Sequence, residues 1–251
     1  MTRIPSRADL PLHAEVYLLA HDDDTGRPHL NEQSLAIGLA GAVLLELVEA
    51  GHLVVGWVYD DFTARWRRRP GQLYMCRPGP AGSPLLDAAL AVATRVVRAQ
   101  PRGDHLRTFL HSFAANDLYE RVRAAMITAG LIRHTQLRRM AGLRKIDTYL
   151  PVEVAYPTRV RARVRNAVAF HEPGQYRPLG PPDTTGVALC GLIAVLELTP
   201  FLYRAEPDRE LAGMLRLVVD RYPDPTVAAT VRAVVQAVDA GRGDVAVAAM
   251  G

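Results

Sequence analysis

The residues best able to carry chemistry in this chain are its arginines, and they fall into two clusters. One is Arg65-Trp66-Arg67-Arg68-Arg69. The other is Arg133, Arg138, Arg139, Arg144 and Lys145, which bracket Met140-Ala141-Gly142-Leu143. An apolar tip ringed by cations has a physical use at a membrane. Met140 and Leu143 enter the acyl boundary, while Arg138, Arg139, Arg144 and Lys145 meet anionic headgroups at about 1 kcal/mol for each charge near the surface. The same charges can track nucleic-acid phosphates, since a helix, a turn and a hairpin form the outline of a winged helix. They can also be no more than a solvated, Arg-rich edge.

Other chemistries lack their residues. A nucleophile elbow, a Walker loop, a dinucleotide glycine fingerprint, a zinc-type His-Glu-x-x-His and paired cysteines are all absent. The 8 histidines are scattered, with no pair one helical turn apart in a convincing helix. Glu46 and Glu49 lie near the end of a helix, where they are expected to face solvent or an arginine. Asp22 and Asp24 alternate as in a calcium loop, but Gly26 comes one place early and Gln33 stands where a closing Glu is needed, so a solvated turn is expected. Cys76 and Cys190 are far apart and frame no disulfide; Cys190, on an apolar helix, reads as a small core hydrophobe. No enzymatic activity, metal or cofactor is expected.

The elements that must position the arginines come next. With 49% hydrophobic and 22% charged residues the 251-residue chain can build an ample core. No apolar run reaches the roughly 18 residues of a membrane span, and the N-terminus has no secretory apolar region. A cytoplasmic location is expected. The net charge of +4 points to an acidic partner, although every one of the 30 Lys+Arg residues except Lys145 is Arg, a bias that a GC-rich genome produces.

The central stretch is Leu30–Leu47, a polar cap followed by a helix apolar nearly all round, which belongs at the centre of the fold. Gly38 and Gly41 on it let a neighbouring helix approach closely. Pro11–Ala20 is a helix start or a buried strand. Leu53–Tyr59 and Gln72–Arg77 read as strands, with the first Arg cluster between them. Ser83 and Pro84 open a helix through Ala99, and Leu106–Phe113 and Ala115–Gly130 continue the helical pattern, the latter capped by Asn116 or Asp117. Arg133–Arg139 and Arg144–Leu150 form a hairpin. Helices then follow at Thr158–Phe170, at Gly186–Leu198 behind Asp183 or Thr184, at Glu210–Val219 and at Val227–Ala240. The tail from Gly241 is weakly patterned.

Several of these pieces together resemble the Golgi phosphoprotein 3 family. They are L-x-x-E-x-x-L-L at Leu12, Glu15, Leu18 and Leu19, then the Asp/Gly turn, then G-L-x-G-x-x-L-x-E-L at Gly38, Leu39, Gly41, Leu44, Glu46 and Leu47, with a G-x-L exit at Gly51 and Leu53. SPLLDAAL and the Arg121–Ile132 exit extend the likeness over most of residues 10–240. The resemblance, with the Arg bias, implies a bacterial member and a mainly α fold: a single globular domain over residues 1–251 with a buried apolar helical core, surrounding amphipathic helices and short β-hairpins. It implies a peripheral membrane protein that binds phosphatidylinositol 4-phosphate on an anionic membrane, self-associates through its hairpin and grips client proteins; nucleic acid is not the expected partner. The family's headgroup pocket has a Trp and an Arg at the positions of Asn31 and Ala40, and two further Arg at those of Asn116 and Tyr119. Arg27, Arg121 and Arg123 are the nearby cations able to substitute.

Overall fold

In a computed structural model of the chain, residues 10–60, 65–100, 103–115, 117–139, 144–171, 180–202 and 208–248 are described, with the backbone alone at 58–60, 66, 137–139, 144–146, 208–209 and 245–248. Among them are ten helices and two antiparallel hairpins. The fold is mainly α.

The centre is α2 (Glu32–Glu49). Asn31 caps it by accepting the Ser34 N–H at 2.8 Å, and Ser34 through Leu45 are all buried. Helices α1 (Leu12–Leu19), α4 (His105–Ala114), α5 (Leu118–Thr128), α7 (Thr184–Val195) and α10 (Pro225–Ala248) pack around it. The glycine step works as its spacing implies. A Cβ on Gly38 would lie 2.7 Å from Leu196, just past α7, and one on Gly41 would lie 2.7 Å from Val238 of α10. Each glycine costs about 1 kcal/mol of helix propensity against Ala, which the closer packing of two neighbours offsets. The second apolar helix, α7, is capped by Asp183, which accepts the Gly186 N–H at 2.6 Å, and Gly186 through Val195 are buried.

Pro11–Ala20 resolves as helix α1, every residue of it buried. Its N-terminus has no local side-chain cap, and Glu46 supplies one from α2: its Oε1 accepts the His13 backbone N–H at 2.7 Å and lies 2.8 Å from His13 Nδ1. The expectation that Glu46 and Glu49 face solvent or an arginine is therefore wrong for Glu46, which closes the orphan donors of another helix. Glu49 accepts from the Thr185 hydroxyl at 3.3 Å.

The shell consists of α3 (Pro84–Ala99), capped by Ser83 with Pro84 at its first position, α6 (Ala155–His171), the single turn α8 (Thr199–Leu202) and α9 (Asp208–Asp220). Asp117 stands at the N-cap of α5 with φ +50° and makes no side-chain capping bond. One hydrophobic cluster runs from Leu12 to Val238 through all of these layers. Cys190 is buried within it, and burial pushes its thiol up to about 12, whereas Cys76 is exposed. Iodoacetamide on the folded protein is expected to alkylate Cys76 alone; a Cys190 adduct in the mass spectrum under native conditions contradicts this placement.

Two boundaries differ widely from the sequence expectation. Strand β1 (Leu53–Asp60) pairs with β2 (Arg65–Met75), so the first Arg cluster lies on a strand and not in a loop. The register shifts between Val55 and Trp57, where Gly56 has φ +75°. Below this bulge Leu53, Val55 and Leu73 are buried, and above it Arg65, Arg67, Arg68 and Arg69 are exposed. The bulge breaks the period-2 pattern by which a strand is recognised. Helix α10, for its part, runs on through the tail that read as weakly patterned. Asp244 accepts from Arg107 at 2.6 Å and lies 3.0 Å from His111 Nε2, and Arg242 donates to the Val195 carbonyl. These long-range bonds hold a Gly-containing stretch helical.

Candidate functional site

The site is assembled from four segments. The first is the acidic turn after α1. Asp22 Oδ1 accepts from the Thr25 N–H at 2.7 Å, the Thr25 hydroxyl at 2.8 Å and the Asp24 N–H at 3.2 Å. Those bonds, the Thr25 hydroxyl above all, hold the Asp22 carboxyl below the usual range. Oδ1 of Asp22 thus serves its own turn, and among the described residues no group of three or more His, Cys, Asp or Glu could hold a metal ion. Arg161 of α6 reaches Asp23 at 2.7 Å and ties the turn to the body. Gly26, with φ +63°, lies directly against the second hairpin: a Cβ there would be 2.5 Å from the Tyr149 carbonyl oxygen.

That hairpin, β3 (Ile132–Arg139) and β4 (Arg144–Pro151), follows α5 through a tight turn at Gly130. Arg138 opposes Lys145 and Arg139 opposes Arg144 on the last two rungs, which places four of the five cations of the second cluster at the far end of one arm, while Arg133 opposes Leu150 near its base. Met140 and Leu143 lie outside the described residues, as does Asn116.

Between turn and hairpin is a cleft of about 160 Å³. The turn contributes Thr25, Gly26, Arg27 and Pro28; the first turn of α2 contributes Glu32; α5 contributes Tyr119 and Arg123; β4 contributes Asp147, Thr148 and Tyr149. Arg123 lies 4.0 Å above the Tyr149 ring centroid and 5.4 Å from that of Tyr119, and it pairs with Glu120 on its own helix. Asp147 Oδ1 accepts from His134 Nε2 at 2.9 Å and Gln136 Nε2 at 3.0 Å, which draws its carboxyl below the usual range.

Behind Tyr119 is a buried stack. The His21 ring lies 4.0 Å from that of Tyr17 and 5.8 Å from that of Tyr119. Its Nδ1 is 2.7 Å from the Tyr17 carbonyl and its Nε2 is 2.8 Å from the Tyr119 hydroxyl. A carbonyl only accepts, so Nδ1 carries the proton and Nε2 accepts from the tyrosine. Burial is the main reason that the His21 imidazole is lowered to about 4. Because its folded pKa lies below the ordinary 6.5, the neutral ring contributes stability that is complete above pH 6.5 and is lost as pH falls toward 4. Unfolding free energy is expected to drop by about 2–3 kcal/mol between pH 7.5 and pH 4.5 on this account. The drop should shrink by that amount in His21→Gln when both are unfolded in urea.

A family model described as Golgi phosphoprotein 3 (GPP34) matches residues 12–238. The chain belongs to the Golgi phosphoprotein 3 family. A search of curated proteins returns no match to the chain.

Within this Golgi phosphoprotein 3 fold the sequence-derived positions separate. Tyr119, Arg27 and Arg123 come together in the cleft. Asn31 is exposed and serves as the α2 cap, one residue from the cleft-lining Glu32. Ala40 is fully buried in the core. Arg121 packs over the Phe113 ring at 5.7 Å and does not line the cleft. Thr148, Tyr149 and Asp147 were not anticipated at the site. The alternation of β4, which puts Asp147 and Tyr149 on one face, was a signal available for those two, and Thr148 on the opposite face carried none.

The motif L-x-x-E-x-x-L-L of the Golgi phosphoprotein 3 family also receives a physical meaning. Glu15 is buried on α1, and its Oε1 pairs with Arg163 of α6 at 2.9 Å. No helix among the described residues is long and apolar enough to cross a membrane.

Proposed function

We propose that this protein is a peripheral membrane protein which takes a phospholipid headgroup in the cleft and rests its hairpin arm on an anionic bilayer. The observation that carries the reading is the double use of β4. Its lower half lines the cleft beside Tyr119 and Arg123, and its upper half carries Arg144 and Lys145 toward the tip. Headgroup capture and surface contact would then belong to one side of the molecule. Phosphatidylinositol 4-phosphate is the headgroup that family resemblance implies. Arg27 and Arg123 are the cations for its phosphate, and Met140 and Leu143 are the tip that enters the bilayer. In this reading the protein works by binding, on the cytoplasmic face of a bacterial membrane, and recruits client proteins there.

Co-sedimentation with vesicles is the test. Recovery should be high on phosphatidylcholine vesicles doped with phosphatidylglycerol or phosphatidylinositol 4-phosphate and low on phosphatidylcholine alone, and M140D/L143D should abolish it. Equal recovery on both kinds of vesicle overturns the proposal. A second reading is favoured by one observation: β3 and β4 form a two-stranded sheet whose outer edges pair with no further strand among the described residues, and open edges are templates for another chain. A homo-oligomer or adaptor built on the arm predicts a concentration-dependent mass in light scattering, lost in M140D/L143D, with no lipid effect.

A further inference from the structure

A second cavity, of about 270 Å³, opens where the last turns of α2 meet the starts of α1, α7 and α10. Leu12, Leu45, Ala188 and Val231 give it a buried apolar floor, and four threonines stand around that floor. Among the described residues that line it, Glu49 is the one ionisable group. Glu49 is exposed, and its carboxylate accepts from the Thr185 hydroxyl at 3.3 Å. The first turns of α7 and α10 also reach the cavity, and a helix start draws anions. Carboxylates already hold both starts. Asp183 accepts the Gly186 N–H at 2.6 Å, and Asp224 accepts those of Thr226 and Val227 at 2.8 and 3.2 Å. On the inner wall Thr230 is 8% exposed, and its hydroxyl bonds to none of the described residues. This site is remote from the cleft: Glu32 begins α2 and Glu49 ends it, roughly 25 Å apart at 1.5 Å per residue.

We propose that this cavity binds a small amphiphilic amine, its apolar body against Leu45, Ala188 and Val231 and its ammonium at Glu49. The proposal goes beyond the headgroup reading and does not rest on it. Volume sets the body. An apolar cavity of about 150 Å³ holds a benzene ring, so this one takes a short alkyl chain or a single substituted ring. Charge sets the head. An ammonium donates charge-assisted N–H···O bonds to a carboxylate, a neutral alcohol lacks that gain, and an anionic head is repelled. Because Glu49 is exposed, its preference is modest, and burial of the apolar body supplies most of the affinity. Thr230 opposes a purely apolar body, since displacing water from a hydroxyl without replacing its bond weakens binding.

Isothermal titration of the full chain at pH 7 with n-hexylammonium, n-hexanol and n-hexanoate separates body from head. Hexylammonium should bind about threefold more tightly than hexanol and about tenfold more tightly than hexanoate. Non-specific attraction to a chain of net charge +4 would give the opposite order. Glu49→Gln should remove the advantage of hexylammonium over hexanol and leave hexanol itself unchanged. Ala188→Leu, which fills the floor, should weaken all three probes at least tenfold. Thr230→Val keeps the volume of the side chain and does not depend on the fold tolerating a larger one. It should tighten all three probes severalfold, because no hydroxyl is then left unpaired. Equal binding of hexylammonium and hexanoate, a Glu49→Gln variant that keeps the ammonium preference, a Thr230→Val variant that binds no probe differently, or no binding of any probe overturns the proposal. Each of these outcomes leaves the membrane reading intact, because vesicle recovery is measured at the other end of α2.

Discussion

Arg163→Met should destabilise the protein by about 3 kcal/mol, and the double variant Glu15→Leu/Arg163→Met should recover most of that loss. The Glu15 side chain is 4% exposed and its Oε1 lies 2.9 Å from the Arg163 guanidinium, itself 22% exposed. Removing the arginine leaves a carboxylate whose solvation has already been given up, and breaking such a pair costs about 3–5 kcal/mol. The lower end applies because the Arg163 head still reaches water. Replacing both members with apolar groups removes the buried carboxylate together with its arginine, which is why the pair of substitutions is milder than one. Urea unfolding of the two variants decides the matter. If the double variant is as unstable as Arg163→Met, the α1–α6 contact depends on shape and not on this charge pair.

Gly26→Ala is the other change with a large effect. The new Cβ would lie 2.5 Å from the Tyr149 carbonyl oxygen, a backbone atom that no rotamer change can move away. The residue also has φ +63°, where a side chain costs about 1–2 kcal/mol. With overpacking of about 1–3 kcal/mol added, a loss of about 2–5 kcal/mol is expected unless the turn and β4 separate. Separation is the more informative outcome, because the cleft lies between those two segments. The variant should then keep its helical circular dichroism, lose binding of the soluble headgroup inositol 1,4-bisphosphate and leave arm-dependent recovery on phosphatidylglycerol vesicles in place. A variant that is both stable and fully competent for that headgroup would contradict the close contact of turn and hairpin.

Much of the helical frame was legible before any coordinates, because its signals are local. Asn31, Ser83 and Asp183 cap the helices they precede, and the Gly38/Gly41 step marks a close approach that does occur. What stayed hidden depends on partners distant in sequence. Glu46 looked like a solvent-facing acid because His13, the donor it serves, is 33 residues away. The lower wall of the cleft could not be found because Gly26 and Tyr149 come from a turn and a strand with α2 through α5 between them in the chain. The Arg-rich β2 strand escaped because its bulge interrupts alternation and its side chains are polar on both faces. Of the four headgroup positions carried over by pattern, only Tyr119 reaches the cleft among the described residues; Ala40 and Asn31 serve the packing and the capping of α2 instead.

The bonds at the end of α10 separate two boundaries that are often equated. Recognisable family pattern stops at residue 238, yet Gly241 packs on Ile37, Arg242 bonds the Val195 carbonyl, and Asp244 joins Arg107 and His111. A chain shortened to its matched region would uncover the flank of the central helix and strand polar groups on two others. The cooperative unit of this protein therefore extends past the part that sequence comparison recognises, and truncation at the edge of the match would be a stability experiment as much as a mapping one.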